Sequence, residues 1–217
     1  MAACLRALLA LLPWAVACRD SGRVDAATLG RSASEPRLAV TILGRPGDPR
    51  LVPVREAIAH WNTELRRLGR RVQLDSGTIR PRSLPDGMLA EASREAMFGR
   101  GPATNRLRAR LGSVPGDIVI ALSDTGLISF GTPWRADRPG IAALRRSDIL
   151  PLSLPNTMRN VTAHEIGHVI GLAHNLDSTT LMCGRPASCR PAVFASDSAH
   201  FFPLTPSDER RLRARWP

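Results

Sequence analysis

The clearest hydrophobic pattern in the chain runs from Val52 to Leu68. There Val54, Ile58, Trp61, Leu65 and Leu68 recur at steps of four, three, four and three, which draws one apolar stripe down a helix. Pro53 suits the first turn of that helix and Gly69 its stop. Before it, residues 38–43 read as a strand, followed by the Gly- and Pro-rich loop Gly44-Arg45-Pro46-Gly47-Asp48-Pro49. After it, Val72 to Leu74 predicts a short strand. Met88, Leu89, Ala92, Ala96 and Met97 then fit a helix stopped by Gly99, and Thr104 to Leu111 fits a second short helix.

The apolar run from Asp117 to Leu122 predicts a strand, and Gly126 to Gly140 predicts a loop. Ile141 to Leu144 predicts an edge strand to which an extended substrate could add. A further helix is expected from an N-cap at Asn156 to Gly171, with Met158, Val161, Val169 and Ile170 facing the core. Thr205-Pro206-Ser207-Asp208 has capping-box spacing with proline at the first helical position, and Leu212 and Trp216 share one face of that final helix. Strands separated by helices, with a helix-rich end, predict an α+β or α/β sandwich-like domain around a twisted mixed sheet.

The helix expected before Gly171 carries unusual chemistry. His164 and His168 are four residues apart and project from one face, supplying half of a tetrahedral zinc site. Glu165 is placed to reach a water on the metal rather than the metal. Gly171 can take positive φ and end the helix, so that the chain turns and returns His174 as the third ligand. Three protein ligands leave a fourth position open, the mark of a catalytic rather than a structural zinc. Three of the chain's five histidines lie in this segment. The chemistry expected is attack of a zinc-activated water on a carbonyl, with Glu165 as general base and then proton donor to the leaving amine.

His164-Glu165-x-x-His168-x-x-Gly171-x-x-His174, followed by Ser178-Thr179-Thr180-Leu181-Met182, resembles the metzincin zinc metallopeptidases, and within them the matrixin-like branch. Gly116 to Leu122 and the tail from Leu204 to Asp208 are similar to that branch as well. The close match spans about Val161 to Trp216, and a looser one reaches back to Leu38. The resemblance implies one catalytic zinc, a protein or peptide substrate, and Met182 as a floor beneath the metal. It also implies that the loop after Met182 helps wall the main specificity pocket.

Four features depart from the patterns of the animal matrixins or, for tyrosine, of some other metzincin branches. Asn175 stands where serine is usual. Only His60 and His200 remain for a second zinc. Arg19 to Pro36 is too short for a cysteine-switch propeptide, and the chain has no tyrosine. Minimal bacterial enzymes fit better. Against that pattern the segment from Leu84 to Leu111 reads as an insertion without chemistry, its arginines a solvated face. Calcium binding is not addressed by any residue pattern.

Composition changes the picture mainly at the N-terminus. Residues 1–17 carry one arginine before an apolar run from Ala7 to Ala17 that ends in small residues, as a signal peptide does. Cys18 follows directly, in the manner of a lipoprotein leader, and 18–36 reads as a tether before a catalytic domain at 37–217. The expected product is an exported bacterial protein, secreted or anchored to a membrane through lipidated Cys18. Cys183 and Cys189 are close enough to bridge in an oxidising compartment; two free thiols are the alternative.

The net charge of +11 comes from arginine alone, since lysine is absent. The arginines are dispersed and lack interleaved aromatics, which reads as compositional bias rather than a nucleic-acid surface. A monomer is expected. Two other functions compete with a zinc endopeptidase: a non-catalytic zinc-containing surface protein that holds a polyanion, and a zinc hydrolase of cell-wall peptides. The open fourth ligand position and Glu165 favour an enzyme.

Overall fold

The computed structural model describes residues 36–81, 84–98, 102–184, 189 and 191–217. The expected signal peptide, the lipidation site Cys18 and nearly all of the tether lie outside these residues.

Seven strands and five helices alternate along the described chain: β1 (Arg37–Leu38), β2 (Val40–Leu43), α1 (Leu51–Arg67), β3 (Gln73–Leu74), β4 (Thr78–Arg80), α2 (Asp86–Phe98), α3 (Ala103–Leu111), β5 (Ile118–Leu122), β6 (Phe130–Thr132), β7 (Gly140–Leu144), α4 (Pro155–Val169) and α5 (Pro206–Arg215). A 3-10 turn at Pro191–Phe194 precedes α5. The main sheet has the order β4-β2-β5-β7-β6, and a separate parallel pair joins β1 to β3. All neighbours in the main sheet are parallel except β6, which runs antiparallel to β7 at one edge.

The parallel strands are apolar on both sides because both sides are covered. Alternation along β5 sends Ile118 and Ile120 into a core shared with α1 and α4, and Val119 and Ala121 into a second core with Leu89 of α2 and Leu107 of α3. The segment expected to be an insertion therefore covers one face of the sheet. Leu107 and Leu111 are fully buried, because without them β5 and β7 would expose that face to water.

Some expectations shift. The run 38–43 is two strands, not one: β1 pairs with β3 and β2 joins the main sheet, with Ala39 between them. Ile141 to Leu144 is not an edge strand. All five residues of β7 are buried, and β6 pairs along the side expected to be free. That pairing comes from inside the region expected to be loop, where Phe-Gly-Thr is too short to show alternation. Strand β4 carries no sequence signal for the same reason. Finally, α4 begins at Pro155 with Leu154, not Asn156, as its N-cap residue. Proline at the first position has no N–H to satisfy, which leaves the Asn156 side chain free for another partner.

The apolar stripe of α1 is buried as its spacing requires, and it lies against α4. Trp61 is fully buried at that contact and donates its indole N–H to the carbonyl of Ala163 at 2.9 Å. At the far end of α4 the chain reverses in a Schellman turn. Leu172 N–H donates to Gly167 O and Gly171 N–H to His168 O, with Gly171 at φ 109°. Arg215, from α5, closes the space where a side chain at Gly171 would lie.

Gly171→Ala should therefore be costly. Positive φ alone disfavours alanine by about 1–2 kcal/mol, and the new methyl must displace Arg215. The expected outcome is a drop in Tm of roughly 3–8 °C together with weaker zinc retention, measured by thermal unfolding and metal analysis. Unchanged values for both would show that the turn tolerates other geometries.

Candidate metal centre

Helix α4 supplies His164 and His168 one turn apart, and the Schellman turn brings His174 back beside them. The three Nε2 atoms lie 3.1 Å (His164–His168), 3.0 Å (His168–His174) and 3.2 Å (His164–His174) from one another. Among the described residues this is the one group of three or more metal-ligating side chains whose donor atoms converge. Nitrogens about 2.0–2.1 Å from a tetrahedral zinc stand roughly 3.3–3.4 Å apart, so the triangle is close to the size zinc requires.

The rings are held in the right tautomer. The Nδ1 of His164 lies 2.7 Å from Leu181 O, and that of His168 lies 2.9 Å from Leu172 O. A carbonyl can only accept, so each Nδ1 carries the proton and each Nε2 presents its lone pair inward. Leu172 thus has two roles: its N–H ends the helix and its carbonyl orients a ligand. Burial, with a smaller contribution from the neighbouring histidines, pushes the imidazole of His164 down to about 3, and burial pushes that of His168 down to about 4. Both rings are neutral at physiological pH. The donor set, its spacing and its protonation state fit one zinc ion.

His174 is held by its neighbour. Asn175 N–H donates to Met182 O at 2.9 Å, and Gly184 N–H donates to Asn175 O at 3.2 Å. The Asn175 side chain donates to Asp208 at 3.0 Å and accepts from Thr180 Oγ1 at 3.0 Å. Asp208 is buried and completes the expected capping box of α5 with Thr205. The residue after the third ligand, whose identity departs from the family pattern, therefore fastens the ligand loop to both the Met182 turn and the last helix. Met182 is fully buried, and its sulfur lies against the face of α4 at Gly167. Cys183 and Cys189 form a disulfide with Cα atoms 6.0 Å apart.

A cavity of about 530 Å³ opens onto the triad. Glu165 lines it together with the three histidines, buried to 6 % exposure, and desolvation pushes its carboxyl up to about 8. The disulfide and Gly184 form part of the wall, with Phe194 from the 3-10 turn. Strand β6 borders the cavity through Phe130 and Gly131. A side chain at Gly131 would run into the Glu165 carbonyl and His168 Cβ, so glycine allows β6 to lie directly on α4.

The predicted ligands, Glu165, Met182 and the disulfide are thus gathered in one place. His60 and His200 lie apart from it; His60 stacks on Phe201 with ring centroids 4.1 Å apart. Two contributors carried no sequence signal of chemistry. The Phe130–Gly131 edge sits in a region that reads as loop, and Arg145 looks like one of many dispersed arginines.

A family model described as Met-zincin matches residues 153–184, the segment that contains all three histidines, Glu165 and Met182. A search of curated proteins finds none that matches the chain. Among solved structures, the chain is similar to archaemetzincin from Methanopyrus kandleri, with 16% identity, TM-score 0.49, and coverage of 86% of this chain and 98% of that one. It is also similar to metalloproteinase-II from Bacteroides fragilis, with 13% identity, TM-score 0.45, and 84% and 53% covered. A zinc-dependent peptidase from Methanocorpusculum labreanum is similar at 16% identity and TM-score 0.43, with 80% and 98% covered.

Proposed function

We propose that this protein is a zinc-dependent endopeptidase. The observation that carries the reading is the placement of a desolvated carboxylate, Glu165, in the same cavity as three converging neutral imidazole nitrogens. When bound by His164, His168 and His174, zinc supplies positive charge that polarises a carbonyl and lowers the pKa of water in the open position towards ~7.

The chain's own residues do the rest. Glu165 accepts the proton of the attacking water at a carboxylate oxygen and hands it to the departing amine nitrogen. Glu165 lines the cavity with the three imidazoles, and one carboxylate there can serve both transfers in turn. Leu181 O and Leu172 O keep the His164 and His168 rings aligned throughout. The free edge of β6 binds an extended peptide by backbone hydrogen bonds and presents it across the triad. An edge strand that borders the cavity suits an extended polypeptide, which supports cleavage within chains. A disulfide wall persists in oxidising compartments, which supports export.

The direct test is hydrolysis of an unfolded protein by the purified, zinc-loaded chain. Cleavage is expected, with loss on chelation and return on adding zinc. Glu165→Ala should keep about one zinc per chain and lose roughly 10²–10⁴-fold in kcat; cleavage at the wild-type rate would remove Glu165 from the role of base. His174→Ala should lower zinc content while the far-ultraviolet circular dichroism stays the same. Normal zinc content in that variant would mean that another group completes the site.

A further inference from the structure

The cavity beside the triad is lined by one arginine among the described residues. Arg145 follows Leu144 at the end of β7 and lines the cavity with apolar neighbours that include Pro151, Leu152, Val161 and Phe194. Its backbone N–H donates to Ser129 Oγ at 3.2 Å, which fixes where the side chain starts. Its Nε is shut off from solvent and has no hydrogen-bond partner.

The nearby carboxylates are engaged elsewhere. Asp148 pairs with Arg146, and Asp124 pairs with Arg50 and Arg45. Glu165 lines the same cavity. Arg50, by contrast, is enclosed at 4 % exposure and bonded to Asp48 at 2.7 Å and Asp124 at 2.9 Å.

A buried Nε–H with no acceptor is unfavourable by itself and is relieved by an acceptor that comes from outside. The planar fork of guanidinium N–H groups matches a carboxylate through two parallel hydrogen bonds. A cavity of about 530 Å³ has ample room for an acidic side chain. Resting on the endopeptidase reading above, we propose that Arg145 is a specificity residue that selects a substrate carboxylate next to the scissile bond. The apolar walls exclude water from the pair, and a lysine or arginine of the substrate is repelled. The carboxylate has two chemical sources: a Glu or Asp side chain within a peptide, or the α-carboxylate at a chain end.

The test uses quenched peptides with Glu, Gln or Lys at each position flanking the scissile bond, each made with a free and an amidated C-terminus. Wild type, Arg145→Gln, Arg145→Lys and Arg145→Glu are compared by kcat/KM, with thermal unfolding as the check on folding. At one flanking position, wild type should favour Glu over Gln by about 10–100-fold. Arg145→Gln should flatten that preference, Arg145→Lys should retain only part of it, and Arg145→Glu should turn it towards Lys. A merely structural arginine would lower all substrates together and would not invert the order.

Indifference to amidation assigns the side chain as the source. Loss of cleavage on amidation, with Glu and Gln equal, assigns the α-carboxylate, keeps Arg145 as its receptor and replaces cleavage within chains by cleavage at a chain end. Cleavage without either preference, or a preference unchanged in Arg145→Gln, overturns the role of Arg145 and leaves the peptidase reading intact. No cleavage of any peptide by folded, zinc-loaded wild type overturns the peptidase reading and this inference with it.

Discussion

The structure depends on keeping one chemically loaded helix out of water. Along α4, only Pro155, Arg159 and His168 retain appreciable exposure; the other twelve residues are buried. Hydrophobic residues account for part of that burial. Asn156, Asn160 and Thr162 are also buried, and an unpaired polar group there would cost about 1–3 kcal/mol. Each is satisfied. Asn156 donates to Phe194 O and accepts from His200 N–H. Asn160 donates to His200 O and accepts from Phe202 N–H. Thr162 donates back to Met158 O. The two asparagines thereby fasten the segment 194–202 along the helix, while α1 covers another side and β6 and β7 a third. The dry surroundings that result keep His164 and His168 neutral and Glu165 basic.

The parts of this arrangement that are legible in the sequence are those in which one physical requirement maps onto one residue type at a set spacing. The stripe of α1 is legible because a helix repeats every 3.6 residues and its buried face is apolar throughout. The triad, Gly171 and the Thr205–Asp208 box are legible for similar reasons: ligand geometry, positive φ and capping each select few residues. The parts that are not legible depend on partners distant in sequence. Phe130-Gly131-Thr132 is a strand only because β7 pairs with it and α4 lies flat on Gly131. Whether Ile141 to Leu144 is an edge or an interior strand depends on that same pairing. Asn156 looks like a helix cap from its neighbours in sequence, but Phe194 and His200 give it another task. Arg145 is one of thirty basic residues, and only the cavity around it sets it apart.

Electrostatics divides along the same lines. Most arginines in the described structure lie at the surface, where ion pairs such as Arg67 with Glu64 and Glu209 contribute little individually. The net positive charge says little about function. The informative charges are the buried Arg50 with its two aspartates, Glu165 and Asp208, together with Arg145, whose Nε is shut off from solvent.

The last helix is tied to the site through several bonds. Asp208 receives Asn175 beside the third ligand, and the Trp216 indole donates to Ile170 O at 3.1 Å, where α4 ends. The ligands lie well upstream in the chain. A polypeptide that has emerged from a ribosome only as far as Met182 therefore has all three histidines and Glu165, but neither the segment that dries the helix nor the helix that fastens the loop of the third histidine. The order of the chain thus places the support of the metal centre after its ligands, so the histidines are drawn together and kept dry only once the C-terminal residues have packed.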